Sequence, residues 1–121
     1  MSEVWCIVSE DNIGGRALAE ALLEESQEVA VLSRDVEPFA LLVNSYADSI
    51  VPAELRHADL LDLAEALTGI EQSFPTVDVV ALVGADDDER MHAAGDLLLA
   101  RWPEAELVIV SAARPLAAVP A

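Results

Sequence analysis

Short apolar runs of strand length alternate along this chain with stretches in which apolar residues recur every three or four positions. The first run, Val4 to Val8, shows no alternation of apolar and polar residues. That is the pattern of a parallel strand buried on both faces. A turn carrying Glu10, Asp11, Gly14 and Gly15 follows, with Asn12 placed to cap a helix. In that helix Ala17, Leu18, Ala21 and Leu22 form the expected apolar stripe, and Arg16, Glu20, Glu24 and Glu25 take the opposite side. Glu28 to Ser33 reads as a second strand, and Pro38 opens a second helix that carries Phe39, Leu42 and Val43 and ends near Asp48.

Pro52 interrupts any strand drawn through it, so the pattern predicts a short third strand at Leu55 to Ala58. Asp62 followed by Glu65 resembles a capping box. Leu63, Ala64, Leu67 and Ile70 then make the stripe of a third helix that stops before Pro75. Val77 to Val83 is a buried strand, and the acidic residues Asp86 to Glu89 suit a helix start. Met91, Ala94, Leu97 and Leu98 give that fourth helix its face, and Leu107 to Val110 is a fifth strand. The tail after Ser111 holds two prolines and no helical pattern, and is expected on the surface or against another subunit.

Regular alternation of strand and helix, joined by right-handed crossovers, leaves few arrangements open. The expectation is an α/β fold of three layers: a doubly wound parallel sheet of five strands in order 3-2-1-4-5, helices on both faces, in a single domain over residues 1–121. That length is too short for a separate substrate domain.

Composition narrows the function classes. Aromatic residues are 4% of the chain, so the core must be built from Ala, Val, Leu and Ile. Asp and Glu number 23 against six basic residues, all arginine, for a formal net charge of −17. Such a field repels polyanions, which argues against nucleic acid and anionic membranes as partners. An acidic, lysine-free composition resembles that of salt-accumulating archaea, in which molar salt screens self-repulsion, with a high-GC bacterium as the alternative source. No apolar run nears the roughly 18 residues of a membrane span, and the acidic start is unlike a signal peptide, so a cytoplasmic location is expected. Cys6 is the single cysteine and lies inside the first strand, where it reads as a buried spectator thiol.

The run from Val8 to Asp35, the Ala58-Asp59-Leu60 step and the VDVVALVG segment of Val77 to Gly84 together resemble the NAD(P)-binding half of short-chain dehydrogenases, a Rossmann-like fold. In that family a TGxxxGxG turn follows the first strand, and its three glycines fall here on Ser9, Ile13 and Gly15. Only the last is kept, and the resemblance assigns it helix packing. It further implies that Ser33 and Arg34 correspond to an NADP-type pair meeting the 2′-phosphate, and Asp59 to the aspartate beside adenine. The catalytic Tyr-x-x-x-Lys of the family has no counterpart in a chain without lysine. A second resemblance, to the N-terminal domains of the RCK regulators of potassium conductance, rests on the segment VDVVALVGADDDERMHAAGDLLLARWPEAELVIVSA.

Candidate chemistry is sparse. Asp86, Asp87, Asp88 and Glu89 are a helix start more readily than a cation site. His57 and His92 have no cysteine or second histidine at ligand spacing. Ser9, Ser33 and Ser111 stand at strand carboxyl ends, where ligands bind in open sheets, but none is in a nucleophile elbow. The sequence therefore reads as a non-catalytic Rossmann-like module, not an enzyme, that works through protein contacts as a homodimer or as a subunit of an assembly. In that reading no cofactor is expected. The alternative is a domain sensing NAD(P) or an adenine nucleotide through Asn12, Gly14, Gly15, Ser33, Arg34, Asp59 and Gly84.

Overall fold

The computed structural model describes residues 3–9, 12–55, 60–84 and 89–110. Five parallel strands form one sheet: β1 (Val4–Ser9), β2 (Glu28–Ser33), β3 (Ile50–Glu54), β4 (Val79–Val83) and β5 (Glu106–Val110). Their spatial order is β3-β2-β1-β4-β5, as the alternation of elements predicts. The longer helices are α1 (Asn12–Glu24), α2 (Ala40–Tyr46), α3 (Leu60–Ser73) and α4 (Glu89–Arg101). None of the described helices is long and apolar enough to cross a membrane.

Successive strand residues point to opposite faces, so each continuous apolar run feeds two cores. Cys6, Val8, Ala30, Leu32, Val80 and Leu82 face α3 and α4, meeting Leu63, Leu67, Ile70 and Leu98. Ile7, Val29, Val31, Ala81 and Val83 face the other way, against Leu18 and Leu22 of α1, Phe39 just before α2 and Leu42 within it.

The α1 stripe is turned from the expected one. Ala17 is exposed and Ala21 half-buried, while Gly15, Leu18, Ala19, Leu22 and Leu23 are buried, a clean i, i+3, i+4, i+7, i+8 set. In an alanine-rich helix two neighbouring stripes fit the same spacing, and contact with β1 at Gly15 selects this one. Asn12 is the first helical residue rather than the residue before it. At the other end Gln27 N–H donates to Leu22 O at 2.9 Å and Ser26 N–H to Leu23 O at 3.0 Å. This is a Schellman closure, with Ser26 at φ 66° where glycine is usual.

β3 corrects the expected strand at Leu55 to Ala58. It lies earlier, over Ile50–Glu54, and runs through Pro52, which pairs with Val31. An edge strand turns every second N–H away from the sheet, so a residue without one is accommodated there. Leu55 still donates its N–H to Ser33 O at 2.8 Å, and residues 56–58 lie outside the described residues. Asp62 is likewise inside α3 rather than at its cap, since the helix begins at Leu60.

The amino end of the sheet is pinned by Asp78. Its carboxylate accepts the Val4 N–H at 2.9 Å. Its own N–H donates to Val4 O at 2.8 Å, and its carbonyl accepts from Glu106 N–H at 2.9 Å. One residue thereby ties together the starts of β1, β4 and β5.

Candidate functional site

The chain runs outward from β1 through β2 to β3, then crosses back over β1 to place β4 on its other side. At this reversal α1 leaves the end of β1 for one face of the sheet and α4 follows β4 on the other, the arrangement that in open α/β sheets opens a crevice at the strand carboxyl ends. Register fixes what lines it: Ser9 at the end of β1 pairs with Ser33 of β2 and with Val83 of β4. Ser33, Ser9 and the Val83-Gly84 step therefore stand side by side.

Gly15 seats the start of α1 on this row. A methyl group added there would fall 2.7 Å from Ser9 Cβ, closer still to Ser9 Oγ, and 3.6 Å from the Phe39 ring. No such approach is tolerated, so helix and strand meet here only because residue 15 has no side chain. Gly14, half-buried, belongs to the same first turn. The free N–H groups and the dipole of the thirteen-residue α1 point toward the crevice.

The second flank is the turn after β2. Ser33 is 2% exposed. Its hydroxyl donates to Asp35 O at 3.1 Å and accepts from Asp35 N–H at 3.3 Å, so it shapes its own loop. Asp35 in turn accepts the Glu37 N–H at 3.0 Å through Oδ1, which leads the chain into the 3-10 turn Glu37–Phe39. Arg34 is exposed at the tip. The Arg16 guanidinium donates through Nε to Pro38 O at 3.1 Å and lies 3.6 Å from Glu20. Arg16 is thus half-buried and fastens the loop to α1, which corrects its assignment to the solvent side. Sequence spacing does not reveal this bond, because its acceptor is a main-chain carbonyl 22 residues away.

On the third flank Gly84 adopts φ 78°, a conformation that favours glycine, and donates its N–H to Val110 O at 2.9 Å. The structure thus brings Gly14, Gly15, Ser33, Arg34 and Gly84 to one edge of the sheet. Asn12 is there by its backbone. Asp59, Glu10, Asp11, His57, Ser111 and the acidic run Asp86 to Asp88 lie outside the described residues.

Elsewhere the chemistry is quiet. Cys6 is fully buried, and desolvation pushes its thiol up to about 12, so it is no nucleophile at neutral pH. Among the described residues no group of three or more His, Cys, Asp or Glu side chains could hold a metal ion. A groove of about 190 Å³ lies between α3 and α4, lined by Ala64, Leu67, Leu97, Ala100 and Arg101. Arg101 bonds to Glu71 there, which holds the Glu71 carboxyl below its ordinary range.

Similarity to solved structures follows the same frame. A short-chain dehydrogenase from Streptomyces avermitilis superposes with a TM-score of 0.61 at 25% identity, over 67% of this chain and 30% of that one. L-sorbose reductase from Gluconobacter frateurii, complexed with NADPH and L-sorbose, gives a TM-score of 0.67 at 16% identity, over 89% of this chain and 51% of that one. The 3-ketoacyl-(acyl-carrier-protein) reductase from Brucella melitensis, complexed with NADH, gives 0.55 at 17% identity, over 65% and 32%. The chain has a Rossmann-like fold of the NAD(P)-binding type.

It resembles the nucleotide-binding half of short-chain dehydrogenases and spans about a third to a half of the length of these neighbours. No protein-family model and no curated protein matches it. The neighbours correct one expectation: the reading that this chain is not an enzyme, drawn from the missing Tyr/Lys pair, is overturned by a fold whose similar structures are dehydrogenases and reductases.

Proposed function

We propose that this chain is the dinucleotide-binding unit of a reductase-type enzyme and takes NAD(P) in the crevice beyond β1 and β4. The observation that carries this reading is the seating of α1 on Ser9 through Gly15, which aims the helix N-terminus at the switch point of the sheet. A pyrophosphate is the group such a terminus favours, by about 0.3–1 kcal/mol from the dipole and more through direct N–H donation. Arg34, exposed at the end of β2, is placed to meet a phosphate or ribose at the adenosine end, with Ser33 and Asp35 holding its loop. A bound dinucleotide would supply the hydride; the chain's own residues would bind and orient it. A proton donor of the Tyr/Lys kind is not among these 121 residues, which hold no lysine. In this reading it comes from a partner or from additional chain.

The charge of the chain works against binding. Glu10 and Asp11 follow Ser9 in sequence and belong to a chain of net charge −17, which repels an anionic ligand, and this repulsion is long-ranged in dilute buffer and short-ranged in molar salt. Affinity for NADPH and NADH should therefore rise with ionic strength, opposite to the usual trend for an anionic ligand. Isothermal calorimetry in about 0.1 M and about 1 M KCl reads this directly. Saturable binding that tightens with salt supports the assignment, and a folded protein that binds neither dinucleotide in molar salt overturns it.

A further inference from the structure

The two edges of the sheet are built differently. β3 carries Pro52 at its centre and Glu54 at its end, devices that discourage further strand pairing. β5 has neither a proline nor a charge beyond Glu106, and on it Leu107 and Ile109 are 39% and 49% exposed. They pair in register with Val80 and Leu82, so they stand on the sheet face that bears α3 and α4. α4 rests mainly over β4 and β1, so among the described residues this outermost strand is left partly exposed on that face.

We infer that β5 pairs antiparallel with β5 of a second copy of the chain, joining two five-stranded sheets into one of ten. Three features select a second copy. First, a two-fold pairing centred on Val108 sets Leu107 opposite Ile109 of the other copy, and Ile109 opposite its Leu107. Both exposed apolar side chains of each copy then meet across the strands, an arrangement that stabilises antiparallel pairs. Second, the same register sets Glu106 opposite Val110, which keeps the only charges of the two strands at opposite ends of the seam. Third, the helices fit. The axis stands perpendicular to the sheet, so α4 of both copies lies on the side of the four apolar residues. Three strand spacings of about 4.8 Å separate the two β4 strands by about 14 Å, and packed helices need about 8–10 Å.

Pairing along five residues makes an interface in the weak class, below about 1,200 Å². Two chains of net charge −17 also repel each other, so the dimer should strengthen with salt. Sedimentation velocity over a concentration series, in about 0.1 M and about 1 M KCl, tests this on the 121-residue chain. A monomer–dimer equilibrium that moves toward dimer in molar salt is expected. Ile109→Lys and Leu107→Lys should each abolish the dimer with an unchanged circular dichroism spectrum. Leu41→Lys, which removes a still more exposed apolar residue on α2, should leave it intact.

Register is read separately. Val108→Cys faces its own counterpart at a separation of about 4.5–5.5 Å, within disulfide reach, and should give a cross-linked dimer on mild oxidation; Leu107→Cys, which faces Ile109, should not. A chain that stays monomeric in molar salt at every concentration overturns the inference. So does a dimer that survives both lysine substitutions, or one that cross-links through position 107 and not 108.

Discussion

Two helices reach the sheet through a glycine, one on each face, and the contacts differ in kind. At Gly15, α1 presses on Ser9, a short side chain fixed to the central strand. At Gly95, α4 presses on Leu82, whose Cδ1 would lie 3.0 Å from an added methyl group. The first obstacle includes the Cβ of a buried strand and can move only if β1 or α1 moves. The second is the far end of a branched side chain, which can change its χ angles. A glycine is indispensable where the neighbour is rigid and merely convenient where it can yield. The rigid contact is also the one at the crevice, so placement of the α1 N-terminus is fixed more tightly than that of α4.

The largest expected effect follows from the rigid side. Gly15→Ala should cost about 2–3 kcal/mol by overpacking, outweighing the gain of about 1 kcal/mol in helix propensity. Urea unfolding measures it. The double variant Ser9→Gly with Gly15→Ala removes the obstacle and should be coupled favourably by about 1–3 kcal/mol. A cycle with no coupling would show that Ser9 is not what Gly15 accommodates.

A second test compares the opposite side of β1, where Cys6 faces α3 and α4. Its thiol is raised from 9.0 to about 12 in the folded protein. The raised value means that burial stabilises the fold fully below pH 9.0, where the unfolded thiol is also neutral. That contribution is lost progressively as pH rises from 9.0 toward about 12. Stability of the native chain should fall across that window more steeply than that of Cys6→Ala, and identical slopes would remove the linkage. Smallest of all, Gly95→Ala should change stability by less than about 1 kcal/mol, because the same propensity gain offsets a modest shift of Leu82. A loss as large as that for Gly15→Ala would erase the distinction between the two glycines.

Much of the fold was legible because continuous apolar runs and helical spacing are both properties of burial. The strands at Val4, Glu28 and Leu107 and the parallel order follow from those patterns alone. What misled was chemistry read without position. Pro52 looks like a strand breaker until β3 is known to be an edge, and Asp62 looks like a cap until α3 is seen to start two residues earlier. The candidate site was legible as an edge of the sheet but not as a mechanism. Ser33 stands out by its place at the end of a strand, yet its hydroxyl bonds to the Asp35 backbone and shapes the loop. Helical spacing puts Arg16 on the solvent side, although its bond to Pro38 holds the loop that presents Arg34.

The clamp at Asp78 has a bearing on how the chain comes together. Glu3 and Gln27, joined beside β1, are 24 residues apart in sequence, whereas Val4 and Asp78 are 74 apart. Closing the longer loop costs roughly 1 kcal/mol more chain entropy than closing the shorter one, so the β1-α1-β2 unit should assemble first and β4 should dock afterwards. Until then one side of the central strand is an open edge, apolar from Val4 to Val8. During synthesis that side of β1 stays unpaired until Val83 has emerged, and this interval is when the chain is most exposed to pairing with the wrong strand.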